Sequence, residues 1–280
     1  MGGKLAIVAD TTCDLPKEII KQYNIKLIPL RVIYKDRDFR DRMEISPKEV
    51  YNRLNYEIPK TSLPVAEDVI NVFEELLTEG YTDAIVLTLS SKVSGTYNLI
   101  NLVAKEYQQL NIEVIDSKAV SMFYGFMVLE AARFAYTGNH ELIKEKIWSV
   151  RNKVKGCHLI DTLVYLKAGG RIGKVEGTIG GILNIKPIIG IDTDGVYYPL
   201  TKVRGRKRAI HRIRSMIEEE FSNKNYTIAI VHGGAEEDAK AMIEDIKNIG
   251  IKKEIIMTCL SPVSCVHTGS GLIGYVAYEV

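Results

Sequence analysis

Apolar residues fall into two patterns along this chain, and through the first half the two alternate. Short, mostly apolar runs at 4–9, 84–89 and 112–115 have the length and branched-residue content of buried strands. Residues 25–34 read as extended. Between these runs, apolar positions recur every three or four residues, as on a helix. One such helix is expected from Asp14-Leu15-Pro16 to about Tyr23, with Asp14 as N-cap and proline inside the first turn. A second opens on the capping box Ser46-Pro47-Lys48-Glu49. A third runs from Pro64 to Glu79 and stops at Gly80, and a fourth covers 95–109. Residues 121–136 are apolar nearly all round, the mark of a buried helix. Strand–helix alternation predicts a mostly parallel, Rossmann-like sheet with helices on both faces.

After residue 150 the pattern changes. A helix over 141–150 leads to an apolar stretch at 157–160 and a helix at 162–168 closed by Gly169-Gly170. Extended stretches at 187–191 and 196–203 flank Asp192-Thr193-Asp194-Gly195, a hairpin signal. A charged helix over 206–221, strands at 227–232, 254–259 and 271–278, and a helix at 235–249 complete the half. The expectation is an α/β protein of two α/β domains, 1–150 and 151–280, the second with a mixed sheet. At 280 residues the chain can bury a large core.

Composition narrows the function. Net charge is +2 with acids and bases intermixed, which leaves no nucleic-acid footprint. The local exception is Lys202-Val203-Arg204-Gly205-Arg206-Lys207-Arg208, followed by Arg212 and Arg214. It reads either as a solvated face or as a docking surface for an acidic partner. No run approaches the ~18 apolar residues of a spanning helix, and no signal peptide or myristoylation motif is read at the start. Four cysteines without a CxxC fit reduced thiols in a cytoplasmic protein. Cys259, Cys265 and His267 lack the spacing of a zinc site.

Candidate chemistry concentrates in loops that follow strands. Leu89-Ser90-Ser91-Lys92-Val93-Ser94-Gly95-Thr96-Tyr97 joins a strand to a helix start, where unpaired N–H groups and the macrodipole favour an anion. Lys60-Thr61-Ser62-Leu63-Pro64 reads as a second helix start of the same kind. Thr61, Ser62 and Ser94 fit simple capping as well as ligand binding. Asp10 fits a catalytic, metal-binding or loop-tying role. His267 lies in the glycine-rich His267-Thr268-Gly269-Ser270-Gly271, with His232-Gly233-Gly234 as its rival. Gly169-Gly170-Arg171-Ile172-Gly173-Lys174 fails the P-loop pattern, and GxGxxG and GxSxG are absent. A helix C-cap explains those glycines but not Arg171.

Taken in order, Asp10-Thr11-Thr12-Cys13-Asp14-Leu15-Pro16, Thr61-Ser62-Leu63-Pro64, residues 89–97, Ile115-Asp116-Ser117-Lys118, Leu166-Lys167-Ala168-Gly169-Gly170-Arg171-Ile172 and His267-Thr268-Gly269 resemble the DegV family over essentially the whole chain. The resemblance implies a long-chain fatty acid, such as palmitate, buried in an apolar tunnel. It implies a carboxylate held by Ser62, Ser94, Thr61, the Gly95 N–H and His267, with Arg171 behind them and no cofactor. It further implies a non-catalytic role: the binding subunit presents the carboxylate to a separate ATP-dependent fatty acid kinase subunit, docked near Arg204 and Arg206. Apolar positions at 121–136 and 179–185 are the candidate tail lining. Cys13, Lys92-Val93 and Ser270 depart from the commoner family residues. The rival readings are a serine esterase using Ser94 with His267, and a nucleotide-binding regulator.

Overall fold

The computed structural model describes residues 4–178, 184–222, 224–249 and 254–279. In chain order, the first half holds β1 (Leu5–Asp10), α1 (Lys17–Gln22), β2 (Lys26–Ile28), β3 (Arg31–Ile33), β4 (Asp38–Arg40), α2 (Pro47–Arg53), β5 (Lys60–Ser62), α3 (Ala66–Thr78), β6 (Asp83–Thr88), α4 (Thr96–Glu106), β7 (Asn111–Asp116), α5 (Met122–Phe134) and α6 (His140–Lys153). The second half holds β8 (Lys155–Leu159), α7 (Val164–Ala168), β9 (Ile185–Ile191), β10 (Tyr197–Arg204), α8 (Arg206–Phe221), β11 (Tyr226–Gly233), α9 (Glu236–Lys247), β12 (Glu254–Cys259), α10 (Pro262–Thr268) and β13 (Leu272–Glu279).

The expected fold class is present: mixed α/β with a parallel sheet and a separate mixed one. Strands β2-β1-β6-β7 form a parallel sheet. A separate mixed sheet runs β10-β9-β8-β13-β11-β12, in which only β11 and β12 pair in parallel. The hairpin at 192–195 closes β9 onto β10: Asp192 accepts hydrogen bonds from the Asp194 and Val196 N–H groups, and Gly195 takes the left-handed turn position.

Local chemistry sets the element ends. Ser46 and Glu49 close the reciprocal capping box of α2. Ten of the thirteen α5 residues are buried, as a helix apolar on every side requires. α5 packs between the two larger sheets, and one continuous core draws on β1, α5, α6, α10 and β13.

Four details differ from expectation. Residues 25–34 divide between two sheets: β2 joins the parallel sheet, while β3 pairs with β4 and β5 in a small antiparallel one. Asp14 does not cap α1; it sits in a left-handed turn and its carboxylate is used elsewhere. Thr61 and Ser62 lie on β5 rather than at a helix start, and α3 begins four residues after Ser62 with no side-chain cap. His267 belongs to the last turn of α10, not to a loop. Of the stretch at 179–185, residues 179–183 lie outside the described residues.

Candidate functional site

β1 and β6 are neighbours, so the loops beyond their C-terminal ends lie side by side. Asp10 ties them together. One carboxylate oxygen accepts hydrogen bonds from the Thr12 N–H (2.9 Å), the Thr12 hydroxyl (2.6 Å) and the Tyr124 hydroxyl (2.6 Å). The other accepts from the Leu89 N–H at 2.7 Å. Of the three roles open to Asp10, loop tying is the one its contacts describe. Burial raises its pKa above the usual carboxylate range, against the pull of these bonds.

From Leu89 the chain enters the serine-rich loop. Ser94 accepts from the Thr96 N–H at 3.3 Å and lies 2.8 Å from the Thr96 hydroxyl, just ahead of α4. Gly95 is the N-cap residue. A Cβ placed on Gly95 would stand 3.5 Å from the Leu63 methyl groups, so the 60–64 segment and the 94–95 turn are in contact. The two loops expected to face one another do so, although the first is a strand end.

Thr61 and His267 then join across the two halves of the chain, with Thr61 Oγ1 2.8 Å from His267 Nε2. His267 Nδ1 has no hydrogen-bond partner among the described residues, and burial, followed by the nearby Arg171 charge, lowers the imidazole pKa to about 4. The ring is therefore neutral near pH 7. Gly169 packs directly on it: a Cβ there would fall 2.2 Å from Nδ1. Gly170, at φ +70°, ends α7 in the left-handed conformation and turns the chain so that Arg171 reaches back. The Arg171 guanidinium donates to the carbonyls of Val93 (3.1 Å) and Gly169 (2.5 Å). It has no carboxylate partner among the described residues, so a fixed cation faces the site uncompensated.

Two buried aspartates hold the helix that carries His267. Asp14 accepts from the Ser261 N–H at 2.7 Å, and Asp41 accepts from the Val263 N–H at 3.0 Å. These are the N-cap and second residues of α10, where carboxylates satisfy free N–H groups and oppose the dipole. Burial raises Asp14 to about 7 and Asp41 to about 6. The sequence offered no signal for Asp41. Asp14 stood in the motif, but a cap for the nearest helix was the obvious local role.

Thr61, Ser62, Ser94, Arg171 and His267 all line one cavity of about 200 Å³, with an apolar wall that includes Leu30, Leu89, Val263 and Leu272. Thr61, Arg171 and His267 also border a second cavity of about 420 Å³ that holds Lys60. They therefore form a partition between the two. From the 121–136 stretch only Ser121 reaches the first cavity; α5 itself is core. His232 lines neither. Arg204 is exposed at the end of β10. Arg206 is bound internally, donating to Asp161 (3.2 Å), Asp238 (2.6 Å) and the Gly271 carbonyl.

Sequence and fold both have counterparts among known proteins. A model of the DegV family matches residues 4–280. A DegV domain-containing protein of Clostridium acetobutylicum is 41% identical over 280 residues, 99% of each chain. The structure of DegV from Bacillus subtilis, described as a fatty acid binding protein, superposes with a TM-score of 0.89 at 29% identity, over 99% of this chain and 100% of the other. A stearic acid-binding protein from Eubacterium ventriosum superposes with a TM-score of 0.85 at 27% identity, over 98% of each chain.

Proposed function

Because the chain belongs to the DegV family, we propose that it binds a long-chain fatty acid, palmitate or stearate, and presents the carboxylate to a separate ATP-dependent kinase subunit. The observation that carries this reading is the single cavity on which Ser62, Ser94, Thr61, His267 and Arg171 converge beside an apolar wall.

The division of labour is physical. Each buried methylene contributes about 0.8 kcal/mol, so a 16-carbon tail gains roughly 11 kcal/mol before ordering costs. The headgroup must only avoid being buried unpaired. Hydroxyls of Ser62, Ser94 and Thr61, with the Gly95 N–H, meet that need and leave the carboxylate nucleophilic. Arg171 balances its charge while its own N–H groups hold backbone carbonyls, which discourages a bidentate clamp. At about 200 Å³ the cavity falls below the roughly 300 Å³ of the smallest usual ligand sites. A full acyl chain therefore enters by moving its lining apart. The partition shared with the 420 Å³ cavity is the face at which the carboxylate is offered. Arg204, exposed, would meet the partner directly, and Arg206 would hold that surface in shape.

The esterase reading has less support. Ser94 is engaged with Thr96, His267 with Thr61, and His267 Nδ1 has no carboxylate to orient it. Native mass spectrometry of protein purified from cells tests the proposal: a co-purified long-chain fatty acid is expected. An empty protein that also fails to bind added palmitate would sink it.

A further inference from the structure

The same cavity carries polar groups that the head cluster leaves unused. His158, on β8, lines it, is only 4% exposed, and its Nε2 has no hydrogen-bond partner among the described residues. The ring is fixed. Phe123 stands edge-on to it, centroids 5.6 Å apart at 82°, and the backbone of Gly274 is so close that a Cβ there would fall 2.7 Å from His158 Cδ2. Ser121 lines the same cavity, buried, with its hydroxyl unpartnered among the described residues. It lies near enough to Asp14 to draw that carboxyl's pKa down without closing a hydrogen bond. Its backbone is held at φ +52°, a conformation that favours glycine. Tyr197, on β10, is another lining residue.

Buried polar groups without partners are rare and costly, and an unsubstituted acyl chain would leave these as they are. We propose that the His158 wall recognises an oxygen on the chain of the ligand, so that the preferred class is a long-chain fatty acid carrying a hydroxyl group. This rests on the fatty-acid reading above and narrows it. A hydroxyl both donates and accepts, so it can pair with the imidazole in either tautomer and with a serine or tyrosine hydroxyl. Burial lowers the His158 pKa to about 4. The ring is then neutral, which suits a neutral oxygen and not a second carboxylate.

The test is displacement of a fluorescent fatty acid by stearic acid and by monohydroxylated octadecanoic acids with the hydroxyl near the carboxylate, at mid-chain or near the methyl end. At least one isomer should bind about tenfold more tightly than stearic acid, about 1.4 kcal/mol. His158→Phe should abolish that preference, so that within the variant the favoured isomer binds no more tightly than stearic acid. Ser121→Gly, which relieves the backbone and keeps the fold, should reduce it. If no isomer exceeds stearic acid, as when water satisfies the wall, the inference is overturned while the fatty-acid reading stands. A preference that persists in both variants also overturns it. If neither stearic acid nor any isomer binds, the fatty-acid reading fails and this inference with it.

Discussion

His267 and His158 line one cavity, and burial holds both near a pKa of about 4, yet their surroundings differ in kind. His267 is built into a network: Thr61 on Nε2, Gly169 against the ring, Arg171 beside it, and two aspartates holding its helix. His158 has aromatic and backbone packing but, among the described residues, no hydrogen bond on Nε2. The first is positioned before any ligand arrives. The second leaves a polar atom for a ligand to satisfy. The contrast shows that burial sets a histidine's charge state, whereas its partners decide whether it is preorganised.

The comparison can be broken most strongly at the head. Ser62→Ala with Ser94→Ala removes two hydrogen bonds to a charged group, each about 1.5–3 kcal/mol. Palmitate affinity in a titration should fall at least about a hundredfold. Unchanged affinity would remove the serines from the site.

The pH dependence separates the other histidine. His158 titrates near 6.5 when unfolded and about 4 when folded, so its neutral form stabilises the fold fully above pH 6.5. That contribution is lost as pH falls toward 4. The stability of wild type relative to His158→Phe in urea unfolding should therefore fall by up to roughly 3 kcal/mol between pH 7 and 4. The raised carboxyls Asp14 and Asp41 have the opposite sign, favouring the fold at low pH, and cancel in this difference. A gap that is flat with pH would mean that His158 is not buried as described.

Gly169→Ala pushes the imidazole from Thr61. We expect about tenfold weaker palmitate binding and a loss of about 1–3 kcal/mol in stability, seen by titration and thermal melting. Wild-type behaviour would show that the His267 pose is not needed. The smallest effect is at Arg204→Glu. Stability should change by no more than about 0.5 kcal/mol and palmitate affinity not at all, while acyl phosphate formation with an added kinase subunit falls. Full activity would move the docking surface elsewhere.

Much of this was legible locally. The capping box of α2, the hairpin at 192–195 and the apolar run of α5 each rest on residues close together in sequence, where period and turn chemistry act directly. The facing of the Ser62 and Ser94 segments was also expected, from the matching chemistry of the two loops. The Thr61 strand was not, because its pairing partner Val32 lies far away in the chain and three residues carry no period. Nor was α10: seven residues with an internal glycine-rich neighbour give a weak helical signal, and its support comes from Asp14 and Asp41.

By itself the sequence determined the two larger sheets, most helices and the loops in which most of the polar groups stand, because those follow from alternation, caps and turns. The folded chain alone decided that His267 meets Thr61, that Gly169 shapes the imidazole's pocket, and that His158 is buried with its Nε2 unpaired among the described residues. Those outcomes depend on which distant segments share a wall, and hydrogen bonding and desolvation act through space, whatever the separation along the chain.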